Sequence, residues 1–430
     1  MDDVLAYDRK QSLSWALYDC ANSAFALTVM AGFFPIFFKN YWGTGLSSAT
    51  GTFQIGVVHS VSSLTVVLLA PVLGAIADKG SRRKRFLVIF AFLGVLSTMA
   101  LSLVAQGQWM LASIVYILGA IGFSMANSFY DSLLVSVSNR EKREWVSALG
   151  FSLGYLGGGV LFAVNIAMVS RPDFFGIASS DQAIRISFVL VGLWWIVFSV
   201  PLFLWVREPG ENLVRPGFWE ATMGGVSQLR STLREISRLR TVSVFLLAYW
   251  LYIDGVDTIV RMAVDYGISI GLDQTGVVLA LLLTQFVGVP SALFFGKLGE
   301  WIGPKIGIFI CLGGYILATL GASFISTVNH FFLLAVLIGL VQGGIQSLSR
   351  SYYVRLIPAD RVAEFFGFYN MLGKFAAVIG PILIGVLGLL TGNPRISILS
   401  ITILFVLGGV LLARVDEKQG HKEVLRMERS

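Results

Sequence analysis

Long apolar runs separated by short polar segments make up almost the whole chain. A helix rising about 1.5 Å per residue needs roughly 20 apolar residues to cross about 30 Å of hydrocarbon, and twelve runs meet this length. The first six predicted spans are residues 13–38, 53–77, 86–105, 109–136, 147–169 and 184–206, and the second six are 243–267, 275–299, 306–327, 331–355, 364–390 and 395–413. The pattern predicts an all-α polytopic membrane protein with twelve transmembrane helices.

The longest polar stretch, residues 207–242, divides these spans into two sets of six. Apolar residues recur within it at steps of three and four with arginines between them, which predicts an amphipathic helix on the inner membrane surface. The apolar residues are Trp219, Met223, Val226, Leu229, Leu233 and Ile236, and the arginines are Arg230, Arg234 and Arg238. A surface linker is the simpler interpretation, and binding of a partner is the alternative. We predict an N-terminal half at 1–206, this linker, a C-terminal half at 243–413 and a cytoplasmic tail at 414–430.

Composition supports the membrane assignment. Of 430 residues, 56% are hydrophobic and 13% charged, whereas a soluble domain carries roughly 25% charged residues. The net charge of +7 lies in short loops between apolar runs, which favours a lipid-facing surface and no nucleic-acid partner. Cys20 and Cys311 both lie inside apolar runs, so we predict no disulfide framework. We expect no cleavable signal peptide, because the first span is too long for one.

A short basic segment of the first half has a weaker copy in the second half. Residues 74–85 read Gly-Ala-Ile-Ala-Asp-Lys-Gly-Ser-Arg-Arg-Lys-Arg, and residues 296–305 read Gly-Lys-Leu-Gly-Glu-Trp-Ile-Gly-Pro-Lys. Such an internal echo indicates two related, pseudo-symmetric halves. Cations collect in cytoplasmic loops, so the first segment predicts that both termini are cytoplasmic. The outer segments then hold little beyond Lys39, Arg171, Arg185 and Arg395.

The first of these segments resembles the signature loop of the major facilitator superfamily. The resemblance implies the major facilitator fold, with two six-helix halves. It also assigns Gly74, Asp78, Arg82 and Arg83 to a loop that changes its contacts between conformations. The alternative is that these cations only set the topology.

Polar residues inside the predicted spans mark the candidate site. An ionisable side chain near the bilayer centre costs about 2.5–3.5 kcal/mol on insertion scales, so it faces a cavity, a partner or both. These residues are Asp19 and Asn22 in span one, Asn127, Tyr130 and Asp131 in span four, Tyr252, Asp254, Asp257, Arg261 and Asp265 in span seven, Gln342, Gln346 and Arg350 in span ten, and Tyr369, Asn370 and Lys374 in span eleven. Span seven is the richest, with its polar residues on one helix face.

Several of these stretches resemble the vacuole-effluxer branch of the same superfamily, which includes an autophagy-related fungal exporter of vacuolar amino acids and many bacterial permeases. The matching stretches are Leu17-Tyr18-Asp19 with Ala21-Asn22-Ser23-Ala24-Phe25, Gly150 with Gly154-Tyr155-Leu156-Gly157-Gly158, Tyr252 with Asp254-Gly255 and Thr258, Gln342-Gly343-Gly344 with Ser349-Arg350-Ser351, and Phe366-Gly367 with Tyr369-Asn370 and Lys374. The resemblance implies a permease of the bacterial plasma (inner) membrane. Amino acids or related metabolites are one candidate substrate class, and peptides, sugars and lipid-like molecules are the alternatives.

Spans one and seven occupy related places in the two halves and carry related polar triplets. Asp19-x-x-Asn22-Ser23 in span one is echoed by Asp254-x-x-Asp257-Thr258 in span seven, and each pair at three-residue spacing lies on one helix face. We predict that these groups bind substrate or carry the coupling proton, together with Tyr18, Tyr252, Gln342 and Gln346. The alternative is that Asp19 and Asn22 link neighbouring helices. Asp257 is the favoured proton carrier, because it lies near the middle of its span.

Two further predictions concern charge pairs. Arg261 can be neutralised by Asp257 or Asp265 on its own helix, or it can bind an anionic group of the substrate through its planar fork. In the superfamily that the chain resembles, spans four, ten and eleven meet at the cytoplasmic gate. The resemblance therefore implies that Asp131 pairs there with Arg350, Lys374 or both.

The functional classes that remain are a secondary transporter, a channel and a non-transporting receptor. An enzyme is not predicted: Gly150-Phe151-Ser152-Leu153-Gly154 fits a hydrolase pattern but lies inside a membrane span, away from the strand-turn-helix that the pattern requires. The sequence carries no metal or nucleotide motif, so we predict no cofactor and transport driven by a gradient, of protons or another ion. His59 in span two is either a packing residue or a proton site. We predict a monomeric symporter or exporter working by alternating access.

Overall fold

The computed structural model describes residues 8–79, 83–138, 143–207, 239–357, 365, 368–369, 372–373 and 378–428. Within these ranges nearly every residue is helical and no strand occurs, so the all-α prediction is confirmed. The helices are α1 (Arg9–Trp42), α2 (Ser48–Lys79), α3 (Arg83–Ala100), α4 (Trp109–Val137), α5 (Arg143–Ser170), α6 (Ser180–Trp205), α7 (Arg240–Ser269), α8 (Gln274–Ile302), α9 (Pro304–Ala322), α10 (Val328–Val354), α11 (Ile379–Thr391), α12 (Pro394–Ala413, with a break at Ser400) and α13 (Glu417–Glu428).

Eleven helices in the described part of the chain, α1–α10 and α12, are long and apolar enough to cross a membrane. Each falls on a predicted span. α11 has 13 residues, and much of the preceding part of its predicted span, 364–390, lies outside the described residues. Large apolar side chains such as Leu96 (63%), Leu204 (66%) and Leu333 (70%) are exposed on these helices, as lipid contact requires. The chain is an integral, multi-pass membrane protein.

α1 is one continuous segment in which π-helical turns at Phe25–Phe33 and Phe38–Trp42 alternate with α-helical ones. Asp8 caps its start by accepting hydrogen bonds from the backbone N–H groups of Lys10 (2.8 Å) and Gln11 (3.3 Å). The hydrogen bond from the Gln11 side chain, followed by the one from the Lys10 backbone, holds the pKa of Asp8 below its ordinary value. π-Helical turns inside α-helices are frequent at functional sites.

The helices form two compact units. The first comprises Met1–Leu46 and Thr65–Val226, and the second comprises Ser47–Leu64 and Ser227–Ser430. The first part of α2 therefore belongs with the C-terminal helices, although the sequence analysis placed the whole of span two in the N-terminal half. Of the predicted amphipathic linker helix, residues 208–238 lie outside the described residues.

In the first unit, two cations bind carbonyl groups at the ends of neighbouring helices. The Lys84 ammonium at the start of α3 donates to the Val206 carbonyl just beyond α6 at 2.7 Å. Arg185 Nε near the start of α6 donates to the Ser102 carbonyl just beyond α3 at 2.6 Å. The last carbonyls of a helix lack partners within it and carry partial negative charge, so these cations satisfy hydrogen bonds and offset the helix dipoles.

The second unit repeats this arrangement in the corresponding helices. Lys305 at the start of α9 donates to the Val415 carbonyl beyond α12 at 2.7 Å. Arg395 near the start of α12 donates to the carbonyls of Ser323 (2.7 Å) and Ile325 (2.8 Å) beyond α9. These matching contacts support two related halves. They also explain why one arginine occurs in a predicted outer segment of each half, Arg185 in the first and Arg395 in the second. Each arginine binds carbonyl groups at the end of a neighbouring helix.

Replacing Arg395 with Gln is expected to destabilise the protein by about 2–3 kcal/mol, because hydrogen bonds from a charged group contribute about 1.5–3 kcal/mol each and the variant loses that charge. Thermal unfolding in detergent would report this as a lower melting temperature. Arg414→Gln is the control, because Arg414 is exposed just beyond the same helix. Equal melting temperatures for the two variants would contradict the assignment.

The C-terminal tail contains a helix that the sequence analysis did not predict. α13 packs against α7 within the second unit, where Glu423 accepts a hydrogen bond from the Thr241 backbone N–H at 3.0 Å. This contact caps the start of α7, since Leu239, at the N-cap position, supplies no side-chain cap. Gly420 permits the close approach, because a Cβ there would lie 3.1 Å from Thr241 Cγ2.

Candidate functional site

In the first unit, glycines of α5 bring its backbone directly against the polar face of α1. A Cβ on Gly154 would lie 2.7 Å from Ser23 Oγ and 3.3 Å from Asp19 Cγ, and a Cβ on Gly150 would lie 3.4 Å from Asp19 Oδ2. A Cβ on Gly157 would overlap Cys20 Sγ. Small residues allow such close approach of membrane helices. The backbone of α5 therefore forms one wall of the site around Asp19.

Aromatic side chains of α1 and α4 form a second wall. Trp15 stacks on Tyr130 with 4.3 Å between the ring centroids, and its Nε1 donates to the Tyr130 carbonyl at 2.9 Å. Tyr18 is fully buried, with its ring centroid 5.0 Å from that of Tyr130. These contacts fix α1 against α4 and hold the neighbouring Asp19 in place.

Asn22 links neighbouring helices, which was the predicted alternative to binding substrate. Its Nδ2 donates to Asn127 Oδ1 of α4 at 2.5 Å, and the residue is 2% exposed. The amide is therefore used between helices in this conformation. The structure brings Asn22 and Asn127 together, which the spacing within span one alone does not reveal.

Asp19 differs from Asn22 in its surroundings. It is half-buried, and no Lys, Arg or His in the described part of the chain forms an ion pair with it. The charged group that acts on Asp19 within those residues is another acid, Asp131 of α4. The described charge that acts on Asp19 is therefore of the same sign as its own.

In the second unit, Arg261 lies beside Asp257 on α7. The distance from Arg261 Nη2 to Asp257 Oδ2 is 4.0 Å, and the two side chains are 15% and 31% exposed. The Arg261 charge also acts on His59 of α2, which is fully buried. Asp265, the other acid that the spacing allowed as a partner, instead accepts a hydrogen bond from Thr52 Oγ1 at 2.8 Å.

Asp254 binds the backbone at the start of α11. It is fully buried, and its carboxylate accepts hydrogen bonds from the backbone N–H groups of Ile379 (2.9 Å) and Gly380 (3.0 Å) at the start of α11. Thr258 Oγ1 donates to the same carboxylate at 3.2 Å. Asp254 and Asp257 share a helix face in the sequence pattern, but the structure gives them different surroundings.

The remaining predicted site residues are distributed around α7 and α10. The Tyr252 hydroxyl lies 2.6 Å from Ser349 Oγ in a hydrogen bond between these helices. Gln342 lines a mostly apolar cavity with Gln285, and Gln346 is half-buried. In this conformation Tyr252 links two helices, and the described cavity that includes Gln342 does not include Asp257.

The predicted gate and loop residues are only partly described. Asp131 is half-buried on α4, Arg350 is exposed on α10, and Lys374 lies outside the described residues. Their role at a gate stays a prediction.

In the predicted conformational loop, Gly74 has open space where a Cβ would lie. Asp78 is helical in its backbone, but its side chain and the whole of Arg82 lie outside what the structure describes. Arg83 Nη1 donates to the Ser132 carbonyl of α4 at 3.1 Å. The change of contacts proposed for this loop stays a prediction.

The pattern of apolar residues did not reveal the polar residues of α2 that contact α7 and the start of α11 within the second unit. Thr52 binds Asp265, and Ser60 Oγ donates to the Val378 carbonyl at 2.9 Å. A signal was present, because Thr52, Gly56, Ser60 and Ser63 recur at steps of four, four and three. Such a stripe of small and polar residues marks a helix-packing face in a membrane.

The fold is that of known membrane transporters. The chain matches the crystal structure of a D-xylose–proton symporter with a TM-score of 0.75 at 13% identity, covering 96% of this chain and 99% of the other. It also matches a bacterial homologue of the human lysosomal transporter Spinster, inward-facing and unoccupied, with a TM-score of 0.65 at 16% identity, covering 96% and 97% of the two chains. The protein therefore has the major facilitator fold, and its structural neighbours are transporters, as predicted.

Sequence relatives narrow this class. The pattern of the vacuole effluxer Atg22-like family matches residues 44–425, and the chain belongs to that family. It is 38% identical over 411 residues to YxiO, an MFS-type transporter of Bacillus subtilis (strain 168), with 95% of each chain covered. It is 24% identical over 468 residues to autophagy-related protein 22-1 of Penicillium rubens, covering 89% of this chain and 77% of that protein. The predicted family is confirmed, and the protein is a transporter and not an enzyme.

Proposed function

We propose that this secondary transporter is proton-coupled and moves a small polar solute that carries an ammonium group, such as an amino acid or a related metabolite. The observation that carries the proposal is the surroundings of Asp19. Its carboxylate lies in a membrane helix and is acted on by the charge of a second acid, and no cationic side chain pairs with it within the described residues.

An uncompensated carboxylate in a membrane span is costly, so a cation or a proton would stabilise it. The ammonium group of a substrate and a proton both fulfil this requirement. A single acid that accepts each of them at different stages would couple the movement of the solute to that of the proton. We therefore propose that Asp19 takes the role that the sequence analysis favoured for Asp257.

Arg261 supports the second part of the proposal, a substrate carboxylate. Its 4.0 Å distance from Asp257 is longer than the roughly 2.7–2.9 Å of a charge-assisted hydrogen bond, so the guanidinium retains donors for another acceptor. Both side chains are partly exposed. Asp257 then keeps Arg261 neutralised when no substrate is bound.

The relatives supply context for this proposal. One structural neighbour is named as a proton symporter of D-xylose, and the family is named for vacuolar efflux. These names describe those proteins. Neither transport of a sugar nor the direction of movement is carried over from them to this chain. We propose that the termini are cytoplasmic because of the charge pattern, and that the protein lies in a bacterial inner membrane because of the bacterial relative. A monomer stays a proposal from the sequence.

A thermal-shift screen of the purified protein tests the substrate class. Amino acids, peptides, sugars and lipids would be added in turn, since a ligand at 100 times its Kd stabilises the folded state by about 2.7 kcal/mol. We expect stabilisation by amino acids, a weaker stabilisation in Asp19→Asn and none in Arg261→Gln. Stabilisation by sugars alone, unaffected by either variant, would contradict the proposed substrate class.

A further inference from the structure

The first part of α2 is held against α7 and α11 by small and polar residues. Thr52 and Ser60 make the hydrogen bonds described above, and both are buried. A Cβ on Gly56 would overlap the Pro381 carbonyl oxygen, and a Cβ on Gly385 would lie 3.0 Å from Phe53 Cα. The backbones of α2 and α11 therefore touch along this seam, and a side chain at Gly56 would force them apart.

The seam coincides with the start of α11. Val378 is the N-cap residue of α11, and the helix begins at Ile379. The first N–H groups of a helix have no partners within it, and inside a membrane there is no bulk water to satisfy them. Other elements must therefore supply partners for the polar backbone groups at this start.

Two elements supply those partners from different sides. Asp254 of α7 accepts from the N–H groups of Ile379 and Gly380, and Ser60 of α2 donates to the Val378 carbonyl. A Cβ on Gly380 would overlap Thr258 Oγ1, so the residue must be glycine for α11 to lie this close to α7. The carbonyl that Ser60 uses is thus presented by a backbone turn that Asp254 fixes.

We propose that Asp254 is a positioning residue that keeps the first part of α2 closed against α11, through the backbone turn at Val378–Gly380. In a transporter that alternates access, a hydroxyl–carbonyl contact and packed glycines are weak enough to separate and re-form in each cycle. Asp254 sets how readily they do so through its hydrogen bonds to Ile379 and Gly380. The proposal rests on the transporter class of the protein and is independent of the solute and the coupling ion.

The test is the reactivity of a buried cysteine placed on the small and polar stripe of α2 that forms the seam. Ser63 lies on the same stripe of α2 and is 5% exposed, so Ser63→Cys reports separation of the seam. The native Cys20 and Cys311 are both buried, and the parent protein supplies the background labelling by maleimide in nanodiscs. Asp254→Asn is expected to raise the labelling rate of Ser63→Cys about tenfold, equivalent to a shift of ~1.4 kcal/mol in the closing equilibrium.

Asp273→Asn is the matched control. Asp273 also accepts a backbone hydrogen bond, from Gly276 N at 2.8 Å at the start of α8, but it is exposed and does not serve α11. This control should leave the labelling rate unchanged. A role of Asp254 in stability alone would lower the melting temperature of Asp254→Asn without changing the labelling of Ser63→Cys, and that result would overturn the proposal.

Ser60→Ala tests the same connection from the other side. It removes the donor to the Val378 carbonyl, so it should also speed labelling of Ser63→Cys. The effects of Ser60→Ala and Asp254→Asn should be less than additive, because both act on one backbone turn. If Asp254→Asn does not fold, unchanged labelling in Ser60→Ala overturns the proposal. Fully additive effects in the double variant would do so as well.

Discussion

Replacing Asp19 with Asn is expected to abolish accumulation of the substrate against its gradient while leaving exchange of substrate across the membrane. The amide keeps the size of the side chain but cannot take up and release a proton. A gradient of one pH unit is worth about 1.4 kcal/mol, or about tenfold accumulation for one proton per solute, and the variant should lose this. Uptake into proteoliposomes under an imposed pH gradient, compared with counterflow without one, separates the two activities.

Asp173→Asn is the control for this prediction. Asp173 is an exposed acid of the same compact unit, in the segment between α5 and α6. Its variant should accumulate substrate like the parent. Normal uphill uptake in Asp19→Asn would show that the Asp19 carboxylate is structural and that another group carries the proton.

Replacing Arg261 with Lys is expected to raise KM for a carboxylate-bearing substrate by about 10–100-fold. Lys keeps the positive charge beside Asp257 but loses the planar fork that binds a carboxylate through two hydrogen bonds. Because the charge pair remains, the melting temperature should change little. Initial uptake rates over a range of substrate concentrations, together with thermal unfolding, measure the two quantities.

Arg171→Lys is the matched control for Arg261→Lys, because Arg171 is exposed beyond the end of α5. It should show parental kinetics. Parental KM in Arg261→Lys would rule out direct binding of substrate by Arg261. The Asp257–Arg261 pair would then serve only to make α7 compatible with the membrane.

The sequence predicts the membrane helices well because their length and apolar character are local properties. It also predicts which spans carry charge, since Asp19, Asp257 and Arg261 stand out against an apolar background. The role of each charge depends on contacts between distant segments. Asp254 resembles Asp257 in the sequence. Its hydrogen bond with Ile379, 125 residues further along the chain, shows that Asp254 instead binds the start of α11.

Contacts at helix ends and along helix seams could not be read from the pattern of apolar residues. Arg395 is an exception to the expected charge distribution, and its bonds to carbonyls beyond α9 give the physical reason. Thr52 and Ser60 do not stand out in the sequence as polar residues of a membrane span. Their hydrogen bonds to α7 and to the start of α11 show that they hold α2 against these helices. The helical tail at Glu417–Glu428 is too polar to be noticed as a packing element until its contact with Thr241 is seen.

Proton movement on addition of substrate tests the central claim most directly. Purified protein in liposomes with an internal pH indicator would receive the solute that stabilises it most in the thermal-shift screen, at equal internal and external pH. Proton-coupled transport predicts a pH change inside the liposomes that requires substrate, disappears in Asp19→Asn and is unchanged in Asp173→Asn. Substrate uptake without any change of internal pH in the parent protein would contradict the account.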